Sequence, residues 1–150
     1  MNITVATLAD IPQLNKLLEF LFTQEAEFQP DPAVQSAGLR KIIENPDYGQ
    51  ILVLRDDASI IGMVNLLFTI STALGSRVAI LEDMVVHPSS RGGGAGSQLL
   101  QAAIKAAKSA GCRRITLLTD GANAPAQCFY QRHGFAYSDM VAMRLLLSGS

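Results

Sequence analysis

Two acids stand side by side in an otherwise apolar run, Leu81-Glu82-Asp83-Met84-Val85-Val86, and a glycine-rich loop, Arg91-Gly92-Gly93-Gly94-Ala95-Gly96-Ser97, follows shortly after. A carboxylate with apolar neighbours holds its proton more tightly than one in water, which suits general-base work near neutral pH. The loop offers several backbone N–H groups with little side-chain obstruction, because a Cβ would hold an anion off the main chain. A helical pattern follows it, and a helix N-terminus adds partial positive charge. Together these features suit a phosphate or pyrophosphate. On an extended strand adjacent side chains point to opposite faces, so only one of the two acids faces a cleft unless a bulge intervenes.

Two well-known loops do not fit. A P-loop needs Lys and then Ser or Thr after its last glycine, and here Gly96 is followed by Ser97-Gln98. A dinucleotide fingerprint needs a small residue where Leu99 stands, and it normally lies on the first strand of its domain.

The elements that must position these residues follow from periodicity. Asn2 to Thr7 alternates as a first strand. Asp10-Ile11-Pro12 marks a helix start with a capping carboxylate, and Leu14, Leu17, Leu18 and Leu21 recur at helical spacing. Ala33 to Glu44 reads as a second helix. Gln50 to Leu54 and Ile60 to Ile70 flank a turn and form a hairpin, and Arg77 to Val86 is the next strand. Leu99 to Ala107 carries a helical stripe closed by Gly111, Arg114 to Thr119 is β-rich, Pro125 to Arg132 is a short helix, and Val141 to Leu147 closes as a strand. Apolar residues on both faces of that last strand imply burial, in a homodimer or in the centre of the chain's own sheet.

The chain of 150 residues is 49% apolar and 17% charged with a net charge of -1, which points to one globular domain, 1–150, and away from disorder. The balance lacks the basic footprint of a nucleic-acid binder. Apolar runs are too short to span a bilayer and no signal sequence is evident, so no membrane partner is expected. Cys112 and Cys128 lack metal or redox spacing. Each is expected to be a buried thiol in a reduced, cytoplasmic setting, and no metal is expected.

Arg91-Gly92-Gly93-Gly94-Ala95-Gly96 resembles the Q/R-x-x-G-x-G/A signature of the GNAT superfamily of acetyl-coenzyme A-dependent N-acetyltransferases. A second block, Asn123-Ala124-Pro125-Ala126-Gln127-Cys128-Phe129-Tyr130 with Gly134-Phe135 beyond it, is similar to that family's second conserved region. The resemblance runs from about Arg77 to Phe135. It implies an α/β (α+β) fold: a central mixed, mostly antiparallel twisted sheet of six to seven strands with about four helices, its strands splayed at the cofactor site. Glu82-Asp83 and the residues after them also resemble the corresponding strand of glucosamine-6-phosphate and polyamine N-acetyltransferases.

The resemblance implies acetyl-CoA as cofactor and direct acetyl transfer to an amine. Gly92, Gly93, Gly94, Ala95, Gly96 and Ser97 would ring the pyrophosphate with Arg91. The edge at Met84, Val85 and Val86 would pair with the pantetheine arm, and the Val86 N–H would serve as oxyanion donor. Asn123, Ala126 and Tyr130 would complete the cofactor site. Glu82 is the candidate base, through a water, with Asp83 next, and Tyr130 is the candidate acid. Each also has a plainer reading: a solvated acid on a sheet, a rim aromatic, and for Asn123 a helix cap. His133 shares a helical face with Tyr130, although a helix terminus is the commoner home of such a residue.

Glu25, Glu27, Asp31 and Asp57 would favour a cationic small-molecule amine or a polyamine. Protein N-terminal acetyltransferases often carry a Glu where Leu117-Leu118 stand, which counts against a protein acceptor, N-terminal or lysine. A non-catalytic acetyl-CoA sensor would need the loop but neither Glu82 nor Tyr130.

Overall fold

The computed structural model describes residues 1–24 and 29–147, which form two compact units, Met1–Leu117 and Leu118–Ser150. The first contains β1 (Asn2–Val5), α1 (Ile11–Gln24), α2 (Pro32–Ile43), β2 (Gly49–Asp56), β3 (Ser59–Ser71), β4 (Ser76–Val86), α3 (Ala95–Ser109) and β5 (Ile115–Leu117). The second contains α4 (Ala124–Arg132). The sheet runs β1-β2-β3-β4-β5, antiparallel up to β4 and parallel between β4 and β5. A parallel neighbour requires a crossover, and α3 supplies it.

The five-strand sheet corrects the expectation of six to seven. Val141–Leu147 is not a strand, and Val141, Met143, Leu145, Leu146 and Leu147 are all exposed. Strand hydrogen bonds need a second strand, and α4 is the regular element that the described residues of this unit contain. Alternating apolar residues alone do not make a ladder.

Both faces of the central strands are covered. Ile51, Val53 and Met63 join Leu14, Leu17 and Leu39 of α1 and α2 in one buried cluster. Leu52 and Leu54, pointing the other way by strand alternation, are also buried. On that second side a Cβ added to Gly62 would come within 2.6 Å of Leu99 Cδ1 of α3. This two-sided burial explains why β2 reads as a continuous apolar run.

Two local expectations change. Asp10 does not cap α1; it is buried in a 3-10 turn, Leu8–Asp10, just before the helix. Its carboxylate accepts the Thr7 N–H at 2.8 Å and both Arg55 Nη groups, at 2.6 and 3.0 Å, tying the turn to β2. Cys128 is exposed on α4 and Cys112 only half-buried, so neither is the core thiol expected. Desolvation raises the Cys112 thiol above its ordinary value, against a smaller opposing pull from Arg77.

Burial would raise the Asp10 carboxyl, but the Arg55 and Thr7 hydrogen bonds outweigh it and hold it below the ordinary value. The native state therefore binds this proton less readily than the unfolded chain, and the resulting stability is present above about pH 4 and lost as pH falls through the native value. Asp10→Asn should destabilise by about 1–3 kcal/mol at pH 7. Arg55 keeps 22% side-chain exposure, which holds the cost below that of a fully buried pair. Urea unfolding at pH 7 and at pH 3 should show the deficit shrinking at the lower pH.

Candidate active site

The site begins with a defect in a ladder. Met63 lies opposite Val85 and Asn65 opposite Glu82, so β4 takes one more residue than β3 over the same span. Asp83 in this bulge has φ of +51°, a left-handed conformation that side-chain-bearing residues rarely adopt and that Asp tolerates better than most. The bulge interrupts strand alternation, and Glu82 and Asp83 consequently line the same cavity.

That cavity, about 360 Å³, lies between the first two helices and the sheet. Phe22 comes from α1, Leu39 and Ile42 from α2, and Asn65 and Leu67 from β3. The walls are held by a polar link between the helices: Gln35 Nε2 donates to Asn15 Oδ1 at 3.1 Å, and Asn15 Nδ2 donates to Ser36 Oγ at 2.8 Å.

Glu82 is exposed and Asp83 is half-buried. Desolvation raises the Asp83 carboxyl above its ordinary value, and the Glu82 charge adds to the rise against an opposing hydrogen bond from Asn65. That bond is long, Asn65 Nδ2 to Asp83 Oδ2 at 3.4 Å. Asn65 itself is only 3% exposed, and its Oδ1 has no hydrogen-bond partner among the described residues. Such an unmet buried acceptor costs about 1–3 kcal/mol. Asn65 is not among the residues that the motifs single out; its signal in the sequence is a lone amide within the apolar run Gly62-Met63-Val64-Asn65-Leu66-Leu67.

The other expected acids separate. Asp31 lines the cavity but also caps α2, accepting the Ala33 and Val34 N–H groups at 3.2 and 3.4 Å. Asp57 occupies the turn between β2 and β3, with φ of +56°, and is not part of the lining. Glu25 and Glu27 lie outside the described residues.

Beyond the bulge, β4 has an open edge. Pairing with β5 covers Ala79, Ile80 and Leu81 only, while β4 runs on to Val86. The His87 N–H donates to Ile61 O at 2.7 Å, so by alternation the Val86 N–H and C=O face the opposite edge. The Val86 C=O there accepts Arg91 Nε at 3.1 Å, which leaves the Nη groups outside that bond. Val85 is buried in the core, and Met84 is half-buried.

His87 shapes the way out of the strand. Its Nδ1 accepts the Ser89 N–H at 3.1 Å, and its ring packs edge-on against Phe20 at 5.1 Å. The glycine loop comes next. Gly92 and Gly94 have φ of +87° and +84°, so the backbone conformation itself calls for glycine, and a Cβ at either would project into open space. Gly94 starts α3, whose first backbone bond runs from the Gln98 N–H to Gly94 O at 3.0 Å. The Ala95 and Gly96 N–H groups precede that bond and face no helical carbonyl. Gly92 to Ser97 thus form an open, N–H-rich cradle at the positive end of a 15-residue helix, able to hold a pyrophosphate.

In the second unit, Asn123 Oδ1 accepts the Ala126 N–H at 3.2 Å and so caps α4. Tyr130 packs edge-on against Phe129 and Phe135, at 5.3 and 5.7 Å between centroids. Desolvation raises its phenol above the ordinary value, so it keeps its proton at neutral pH. His133, which sequence placed beside Tyr130, packs edge-on against Phe129 at 5.0 Å.

Residues 12–135 match the acetyltransferase (GNAT) family. The uncharacterized N-acetyltransferase YhfO of Bacillus subtilis (strain 168) is 33% identical over 139 residues, covering 90% of this chain and 89% of that protein. Among solved structures, a transcriptional regulator from Bacillus halodurans C-125 is 29% identical with a TM-score of 0.83, covering 97% of this chain and 99% of the other. The glucosamine-6-phosphate N-acetyltransferase of Arabidopsis thaliana superposes with a TM-score of 0.77 over 96% of this chain and 97% of that one. At 17% identity that likeness concerns the fold. The chain belongs to the GNAT family of N-acetyltransferases and is an acyltransferase.

Because the native state keeps the Asp83 proton to higher pH than the unfolded chain, stability is lost as pH rises from the unfolded to the native value. Asp83→Asn cannot ionise and tolerates the left-handed backbone. It should raise the melting temperature at pH 7. Thermal melts at pH 4 should show the gain largely gone.

Proposed function

We propose that the protein transfers an acetyl group from acetyl-CoA to the primary amine of a small molecule by direct attack. The observation that carries this reading is the β4 bulge, which sets two carboxylates in one cavity next to an open strand edge that leads into the glycine cradle. Acetyl-CoA, when bound, supplies the thioester. The cradle residues Gly92 to Ser97 would hold its pyrophosphate with Arg91, and the open edge at Met84 to Val86 would receive the pantetheine. The Val86 N–H would stand as oxyanion donor, a main-chain contact of a kind whose loss costs about 3–4 kcal/mol in the transition state.

An aliphatic ammonium must lose a proton before it can attack. Glu82, exposed at the cavity, would take that proton through a water. Asp83 is the second reading of the base, favoured by the burial that raises its carboxyl. Tyr130 would return a proton to the departing sulfur, its raised phenol keeping that proton available at neutral pH. Asn123 caps α4 and so supports Ala126 and Tyr130.

Calorimetric titration with acetyl-CoA tests the cofactor assignment. One-site binding by the wild type should be lost in Gly94→Glu, which strains a left-handed position and fills the cradle with an opposing charge. Saturable binding by the variant would remove the cradle from the reading.

Kinetics then assign the protons. Glu82→Gln should lower kcat/KM by about 10²–10⁴-fold, the usual worth of a general base. Tyr130→Phe should lower kcat with acetyl-CoA affinity nearly unchanged. A larger loss in Asp83→Asn than in Glu82→Gln would move the base to Asp83.

A further inference from the structure

We infer that the amine accepted by this site is carried on an apolar skeleton, an arylalkylamine or alkylamine, and that Asn65 Oδ1 accepts a hydrogen bond from its nitrogen. The inference rests on the transferase reading and adds the class of amine.

Three observations support it. Asn65 lines the cavity, is almost wholly buried, and has an acceptor that nothing among the described residues satisfies. Buried polar atoms are nearly always paired, so an orphan beside a cavity calls for a donor from water or from a ligand. An amine nitrogen is such a donor.

The polar groups also converge on one spot. Asn65 is in register with Glu82 and bonded to Asp83, so the three surround a single position. Of the other polar side chains in the wall, Gln35 is engaged between the Asp31 N–H and Asn15, Asp31 caps α2 through one carboxylate oxygen, and Gln29 is exposed.

Most of the rest of the described wall is hydrocarbon. Phe22, Leu39, Ile42 and Leu67 offer nothing to the hydroxyls of a sugar. The volume, about 360 Å³, equals roughly a dozen waters at about 30 Å³ each and matches a small amine. This wall favours an apolar amine over an amino sugar and over the polyamines that the acidic residues of the sequence suggest.

The test compares 2-phenylethylamine, hexylamine, spermidine and glucosamine as acetyl acceptors, and titrates 2-phenylethylamine into the coenzyme A-loaded protein. The wild type should favour the two apolar amines in kcat/KM by about tenfold or more. Asn65→Leu should cut kcat/KM for them, and the affinity for 2-phenylethylamine, by about tenfold or more, leaving the KM for acetyl-CoA unchanged. Asn65→Ala serves as second variant should the leucine perturb the fold, and the wild-type ranking depends on neither. Preference for spermidine or glucosamine, or undiminished amine affinity in a folded Asn65 variant, would overturn the inference while the transferase reading stands. Asn65-dependent binding of 2-phenylethylamine without transfer to any amine would uphold this site and overturn the transferase reading.

Discussion

The arrangement of this molecule turns on one extra residue in β4. A regular antiparallel ladder would send Glu82 and Asp83 to opposite faces, one under α1 and α2 and the other toward α3. With the bulge between Met63 and Asn65 on the partner strand, both acids reach the same cavity. The register downstream of the bulge then decides which amides of β4 face β3. His87 donates to Ile61, and Val86 is left on the open edge, where its carbonyl receives Arg91. One irregularity thus orients the carboxylates at one end and the free backbone at the other.

The bulge can persist because its surroundings leave little room for a slip. Val85 directly beyond it is locked into the core, and Met63 opposite is fully buried. Sliding β4 by one residue would expose Val85 and drive a carboxylate among Leu14, Leu17 and Met63. On the other face Gly62 admits Leu99 so closely that a single methyl group would collide with it. Packing on both sides of the sheet therefore outweighs the cost of a left-handed aspartate and an unmet Asn65 acceptor. Strain of this kind is tolerated where the rest of the structure over-determines the position.

Much of this was legible in the sequence. The helical stripe from Leu99 to Ala107, the apolar runs flanking a polar turn in the central hairpin and the glycine loop are local patterns, and local patterns survive folding when tertiary packing agrees with them. The acid pair is legible as a pair, and strand alternation makes a bulge the condition under which both face one cleft. Its presence was not legible, because register belongs to two strands at once. Asn65 escaped for a related reason: an amide in an apolar run is ordinary until its partner is found missing. Asp10 looked like a helix cap because its neighbours Ile11-Pro12 fit one, whereas Arg55, far along the chain, claims it. The segment 141–147 alternates like a strand, yet alternation supplies only a face, and a ladder needs a second backbone.

The two ends of β4 explain why the cavity and the cradle can be tuned separately. The cradle is made of backbone N–H groups and glycine conformations, so it reads the charge of an anion and uses none of the side chains by which α1 and α2 line the cavity. The cavity is made of side chains from four elements, with only the bulge in common. Changes at Phe22, Leu39 or Ile42 alter which skeleton fits without touching Gly92 to Gly96. Changes in the bulge itself disturb both, because the direction of the Val86 N–H depends on the register that the bulge sets. In the proposed reaction, that coupling makes β4 the element that must stay fixed while the helical wall varies, and an acceptor amine is selected by residues that take no part in holding the cofactor.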